Sequence, residues 1–77
     1  MTLGRKIRNR REELCMTQPE LAETARLSQS SISQIEKGVF IPRDSTLIVL
    51  AVALRLEPEE LLGMKSNQII KKEKKAS

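Results

Sequence analysis

Apolar residues recur at helical spacing in the first part of the chain, with charged side chains between them. Leu3, Ile7 and Leu14 fall on one face of a helix that we expect to end near Cys15. Basic side chains occupy the remaining positions. The pattern therefore predicts an amphipathic first helix with a positively charged outer surface.

The segment that follows has the composition of a helix start. Thr17 can accept a hydrogen bond from the backbone of Glu20, and the Glu20 carboxylate can reach back to Thr17, which makes a capping box. Pro19 falls in the first turn, where its missing N–H costs nothing. We therefore expect a second helix here. Its predicted inward positions are Leu21, Ala22 and Ala25.

A third short helix, about residues 29–37, follows closely. Ser28 is its predicted cap and Gly38 its predicted stop, while Ile32 and Ile35 point inward. Only about three residues separate it from the second helix. Two short helices joined by so tight a turn must cross steeply, as in a helix-turn-helix.

The rest of the chain also reads as helix. A fourth helix, about residues 44–56, is apolar on all sides, and Pro58 opens a short fifth helix that we expect Gly63 to end. Residues 64–77 form a lysine-rich tail, flexible or partly helical, whose one apolar pair past its first residue is Ile69-Ile70. No strand signal occurs, so we predict an all-α fold with one domain over residues 1–63.

Composition narrows the classes of function. The chain has 77 residues and is 39% hydrophobic, which fits a small aliphatic core. With one cysteine, Cys15, and no histidine, we expect neither a disulfide nor a metal site. No catalytic constellation, membrane span or signal peptide is evident. We expect a soluble, cytoplasmic, non-enzymatic protein with no cofactor, no small-molecule ligand and no membrane partner.

Positive charge is concentrated at the two ends. Residues 1–11 contain five basic residues and no acid, and residues 61–77 contain five lysines against Glu73. Such ends are either solvated surface or a positive potential that a polyanion would neutralise with release of counterions. Both interpretations stay open for the C-terminal run.

Two stretches, TQPELA at residues 17–22 and LSQSSISQIEKG at residues 27–38, resemble the helix-turn-helix of the phage Cro and C-repressor type, also called the XRE type. The resemblance covers about residues 3–63. It implies a compact five-helix, lambda-repressor-like DNA-binding domain whose third helix lies in the major groove. In this chain the domain is followed by the basic C-terminal tail. The third helix is suited to that role, because it presents amides and hydroxyls that can bond base edges.

The resemblance also implies roles for individual side chains. The positions that contact bases are Gln29, Ser30 and Gln34, with Ser33 as a lesser candidate. The positions that contact phosphate are Gln18, Ser31, Lys37, Arg43 and Arg5. Ser31 could equally pack against the second helix. Arg10 is expected to form an internal ion pair with Glu36, which makes Glu36 structural.

The sequence departs from the resembled pattern first at two turns and second in a loop. Cys15 and Arg26 stand where the family often has glycine, at helix ends that favour the left-handed conformation, and each costs about 1 kcal/mol there. The loop Val39-Phe40-Ile41 is apolar where the family is often basic. We expect Phe40 or Ile41 either to fold inward or to meet a partner.

A third departure is an apolar stripe on the fourth helix, formed by Ile48, Val49 and Val52. Exposed patches of this kind tend to mark interfaces. We expect a homodimer that packs through this stripe, the fifth helix and Ile69-Ile70. The alternative is that the tail folds back and covers the stripe within one chain. A two-fold dimer would read two half-sites about 10–10.5 base pairs apart, so a palindromic operator is predicted.

These observations lead to two interpretations of function. The first is a sequence-specific transcriptional regulator of double-stranded DNA, either a repressor or a restriction–modification controller. The chain would be that whole regulator or the DNA-binding fragment of a longer repressor. The second is a protein-interaction module, such as an antitoxin or a coactivator-like protein. The apolar fourth helix favours the second, whereas the acid-poor third helix argues against it.

Overall fold

The computed structural model describes residues 2–65, and in this range the chain forms five helices and no strand, which confirms the predicted all-α class. The helices are α1 (Leu3–Glu13), α2 (Gln18–Ala25), α3 (Gln29–Lys37), α4 (Asp44–Ala53) and α5 (58–65). The predictions made for residues 66–77, including Ile69-Ile70 and the lysine run, lie outside the described residues.

The starts of α2 and α3 have the predicted caps. Thr17 Oγ1 accepts from the Glu20 amide at 3.2 Å, and Glu20 Oε1 accepts from the Thr17 amide at 2.7 Å, which completes the capping box. Ser28 Oγ accepts from the Ser31 amide at 3.0 Å. These bonds satisfy amides that the first turn of a helix leaves without an intrahelical acceptor. The starts of both helices of the helix-turn-helix are therefore determined by neighbouring residues.

Four helices end on a residue in the left-handed region. Gly38 has a φ of 79°, and Cys15, Arg26 and Arg55 each have a φ of 58°. The first three positions are as predicted, but Arg55 corrects the predicted end of the fourth helix. The α-helix stops at Ala53 rather than near residue 56, because Arg55 turns the chain back and the Leu56 amide bonds to the Ala51 carbonyl at 2.8 Å.

The fifth helix runs past the glycine that we expected to end it. Gly63 lies within the 58–65 helix, so that prediction is wrong. Glycine is tolerated in a helix at a cost of about 1 kcal/mol, and the residues after it supply compensating contacts. Met64 packs against the core, and Lys65 Nζ lies 2.6 Å from Asp44 Oδ1. The first two residues of the predicted tail thus belong to α5.

The core lies where α1, α2 and α4 converge behind α3. α3 packs against α1 and α2, and α4 packs against α2. The largest fully buried side chains are Ile7, Leu21, Ile32, Leu47, Leu50, Leu54 and Leu61. Among the described residues, no helix combines the length and the hydropathy that crossing a bilayer would require. This packing fixes which face of α3 is left outside.

Replacement of Gly4 by alanine is expected to destabilise the fold by about 1–3 kcal/mol, because the added methyl overpacks a backbone contact. Gly4 brings α1 against the end of α3: a Cβ there would meet the Ile35 carbonyl oxygen and would lie 2.6 Å from the Glu36 carbonyl oxygen. Alanine's better helix propensity, about 0.5–1 kcal/mol, is too small to compensate. Urea unfolding followed by circular dichroism measures the difference.

The chain offers a matched control for that substitution. Gly63 is also helical, but a Cβ there meets nothing within 4 Å. Gly63→Ala should therefore leave stability unchanged or raise it by up to about 1 kcal/mol. Equal effects at the two glycines would contradict the close approach of α1 to α3.

Candidate nucleic-acid interface

The outer face of α3 is a continuous polar surface. Gln29, Ser30 and Gln34 are exposed, and Ser33 between them is half-buried. The opposite side of the helix is held in the core by Ile32 and Ile35. Because those two side chains fix the rotation of the helix, the four predicted base-reading side chains share one face. That face carries no acidic side chain.

The acid of this helix is turned inward and paired. The Glu36 carboxylate accepts hydrogen bonds from Arg11 Nε at 2.7 Å and Nη2 at 3.1 Å. The Glu36 side chain is only 3% exposed and the Arg11 side chain 10%. The hydrogen bond to Glu36 raises the pKa of Arg11 above its ordinary value, so the guanidinium stays charged. The prediction that Glu36 is structural is confirmed.

The predicted partner of that acid was wrong. Arg11, not Arg10, pairs with Glu36, because Arg11 is four residues after Ile7 and shares its buried face. Arg10 lies one position round the helix and donates to the carbonyls of Leu54 at 2.9 Å and Arg55 at 3.4 Å. It therefore stabilises the C-terminal end of α4.

Gln18 joins the same buried network at the start of α2. Its Nε2 donates to Glu36 Oε1 at 3.1 Å, and Arg11 Nη1 donates to the Met16 carbonyl at 2.8 Å. The first turn of α2 is thereby tied to the last turn of α3. Pro19 has no N–H and the Glu20 amide is bound to Thr17, whereas the backbone amide of Gln18 has no acceptor among residues 2–65. It is a donor available to an anion.

The other predicted phosphate contacts fall into two groups beside α3. Lys37 and Arg5 line a polar cleft of about 400 Å³ together with Arg8. Arg43 and Ser31 line a second groove, of about 420 Å³, on the other flank. Sequence reasoning did not list Arg8 as a phosphate contact. It could have been identified, because it follows Arg5 by three residues and so lies beside it on the exposed face of α1. It also bonds Glu12 at 3.3 Å.

Two apolar surfaces remain exposed. Val39, Phe40 and Ile41 are 65%, 42% and 44% exposed, so the alternative in which Phe40 or Ile41 folds inward is wrong. The stripe of Ile48, Val49 and Val52 is also exposed, at 42%, 43% and 68%. It adjoins a groove of about 690 Å³. The groove's other lining residues are Leu14, Met16, Thr24, Ala53 and Arg55.

Comparisons with known proteins match this architecture. The family model described as helix-turn-helix matches residues 7–61. The immunity repressor protein of Bacillus phage phi105 is 40% identical over 63 residues, which cover 82% of this chain and 44% of the repressor. The HTH-type transcriptional regulator DicA of Escherichia coli strain K12 is 37% identical over 62 residues, which cover 80% of this chain and 46% of DicA. The chain spans less than half the length of these two relatives.

A solved structure agrees with the sequence relatives. The P22 c2 repressor protein, crystallised in complex with synthetic operator 9T, superposes with a TM-score of 0.75 at 33% identity. The superposition covers 79% of this chain and 92% of the P22 chain. The family model spans well over half of the sequence and includes all of α2, α3 and α4. The chain belongs to the helix-turn-helix family of the Cro and C-repressor type.

Proposed function

We propose that this chain is a sequence-specific regulator of transcription that sets α3 in the major groove of double-stranded DNA. The observation that carries the proposal is the acid-free polar face of α3, in which Gln29, Ser30 and Gln34 are exposed while Glu36 is buried and neutralised by Arg11. The exposed face of a helix that contacts only water is usually rich in Glu and Lys. The repressor and regulator names of the relatives, and the operator bound to P22 c2, support the same function.

In this proposal the two sets of side chains divide the work. Gln29 and Gln34 can each bond adenine in bidentate fashion, and Ser30 and Ser33 are tolerant short partners for base edges. Gln18, Ser31, Lys37, Arg43 and Arg5 position the domain on phosphates. The free amide of Gln18 at the start of α2 suits a phosphate oxygen, because the helix dipole adds to the N–H.

We further propose that two copies bind together. The stripe of Ile48, Val49 and Val52 is apolar and exposed, and the groove beside it can receive the same residues of a second copy. A two-fold dimer would present its two α3 helices to half-sites about 10–10.5 base pairs apart, which calls for a palindromic operator. The predicted domain of residues 1–63, extended to residue 65 by α5, would be the unit that binds DNA, and we expect it to work in the cytoplasm.

Selection of binding sites from a random pool of duplex DNA tests the function directly. We expect enrichment of one motif made of two inverted half-sites at that spacing. Sequence-specific binding would be contradicted if the pool stays random after several rounds and the protein's affinity for DNA varies with salt but not with sequence.

Replacement of Gln29 by alanine should cost about 1–3 kcal/mol of binding free energy on the selected site and relax preference at one base pair, because a bidentate contact to one base is lost. Titrations by fluorescence anisotropy on the selected and on scrambled duplexes measure both effects. Lys37→Gln is the comparison variant: as a phosphate contact, Lys37 should weaken both duplexes alike and flatten the salt dependence. Equal losses on both duplexes for Gln29→Ala would remove Gln29 from the base-reading set.

A further inference from the structure

The loop after α3 presents apolar side chains between two exposed cations. Val39, Phe40 and Ile41 lie between Lys37 and Arg43, and all five residues are exposed. The loop is held at both ends, since the Val39 amide bonds to the Gln34 carbonyl at 3.0 Å and Pro42 is buried. The conformation of the loop is therefore fixed at both ends by contacts with the rest of the domain.

The apolar side chains share a groove with two polar groups. Phe40 and Ile41 line the groove of about 420 Å³ together with Ser31 and Arg43. Ser28 Oγ lies 2.9 Å from Ser31 Oγ, and when Ser31 accepts in that bond its own hydroxyl hydrogen can be donated to a ligand. Arg43 has no acidic partner within residues 2–65. The groove thus combines an apolar floor with two donors suited to an anion.

A sugar–phosphate chain has the matching chemistry. Its phosphates alternate with deoxyribose rings, whose C–H surfaces are apolar, so one repeat offers both kinds of contact. α3 has nine residues and is about 13 Å long, close to the major groove's width of about 12 Å. If α3 lies across that groove, the loop at its end lies at the rim, where the backbone runs. A protein partner would need a carboxylate at each end of the apolar segment to pair both cations, whereas a nucleic-acid backbone carries a phosphate at every repeat.

We propose that Phe40 and Ile41 pack against deoxyribose of the operator backbone while Ser31 and Arg43 hold the phosphates on either side. This inference rests on the proposed DNA-binding function and adds to it a contact that is not electrostatic. Apolar burial releases no counterions, so its contribution should be nearly the same at every salt concentration. The phosphate contacts beside it should weaken as salt rises.

The difference in salt dependence gives the test. Phe40→Ser should lower affinity for the selected operator by about 3- to 10-fold, the effect of losing part of a buried Phe contact, with an unchanged slope of log affinity against log salt. Arg43→Gln should instead reduce that slope by about 0.9. Phe40→Leu, which keeps an apolar side chain, should retain most of the affinity. Anisotropy titrations across a KCl series measure all three, and circular dichroism confirms that each variant is folded.

Four outcomes separate the possibilities. Operator binding by Phe40→Ser equal to that of the unaltered protein would overturn the deoxyribose contact alone. A changed salt slope for Phe40→Ser would overturn it as well, since the loop would then act through charge. Altered sedimentation with unaltered binding of DNA would assign the loop to a protein interface. If the unaltered protein selects no DNA sequence, the proposed function itself fails.

Discussion

Replacement of Glu36 by alanine is expected to destabilise the folded protein by about 3–5 kcal/mol, the cost of removing one partner from a buried ion pair. Glu36 is 3% exposed and accepts three hydrogen bonds, two from Arg11 and one from Gln18. Without the carboxylate, the guanidinium of Arg11 stays buried with its charge uncompensated. Because small domains have about 5–15 kcal/mol of stability in total, we expect a large fall in the urea midpoint.

The surface of α1 supplies the matched control. Glu12 also pairs with an arginine, Arg8, at 3.3 Å, but both side chains are more than half exposed. Glu12→Ala should cost only about 0.3–0.5 kcal/mol, as exposed pairs one turn apart do. The double variant Arg11→Met, Glu36→Leu should recover much of the loss, since no charge is left buried. A cost for Glu36→Ala as small as that for Glu12→Ala would contradict the structural role of the pair.

The features that sequence predicts well here are those specified by neighbouring residues. The caps at Thr17 and Ser28 depend on contacts within one turn of helix, and their side chains decide where α2 and α3 begin. The left-handed turns at Cys15 and Arg26 were instead expected from the resemblance, because neither side chain favours that conformation. The same spacing places the α3 polar face outside.

The features that sequence predicts poorly depend on packing between distant elements. α4 has no glycine at its end, and Arg55 adopts the left-handed conformation between Leu54, which is in the core, and Leu56, which packs against it. Gly63 does not end α5, because Met64 and Lys65 find partners beyond it. Propensity alone gives the opposite answer at both places, since tertiary contacts outweigh differences of about 1 kcal/mol.

The candidate site shows the same division. The amides and hydroxyls on α3 could be identified from their spacing, whereas the partner of Glu36 required a choice between Arg10 and Arg11. The resemblance suggested Arg10, whereas helical spacing from Ile7 places Arg11 on the buried face. The cleft that brings Arg5 and Arg8 beside Lys37 joins two elements far apart in sequence, so only the fold reveals it.

Replacement of Val52 by aspartate should convert a dimer into a monomer and weaken binding to the full operator by about 10²–10⁴-fold. Val52 is 68% exposed and, on the proposed two-fold arrangement, would be buried against a second copy of the α4 stripe. A carboxylate there would be desolvated without a partner, which opposes association. The folded monomer should be unharmed, because the side chain is outside its core.

Two measurements separate this effect from damage to the DNA-binding face. Sedimentation at micromolar concentration should show a dimer for the unaltered protein and for Val52→Ile, which keeps the stripe apolar, but a monomer for Val52→Asp. Binding to a duplex that carries a single half-site should fall little, because α3 is unchanged and only the linkage between two copies is lost. If Val52→Asp sediments and binds the full operator like the unaltered protein, the stripe on α4 is not the dimer interface. An equal loss on half-site and full operator would place the effect in α3 instead.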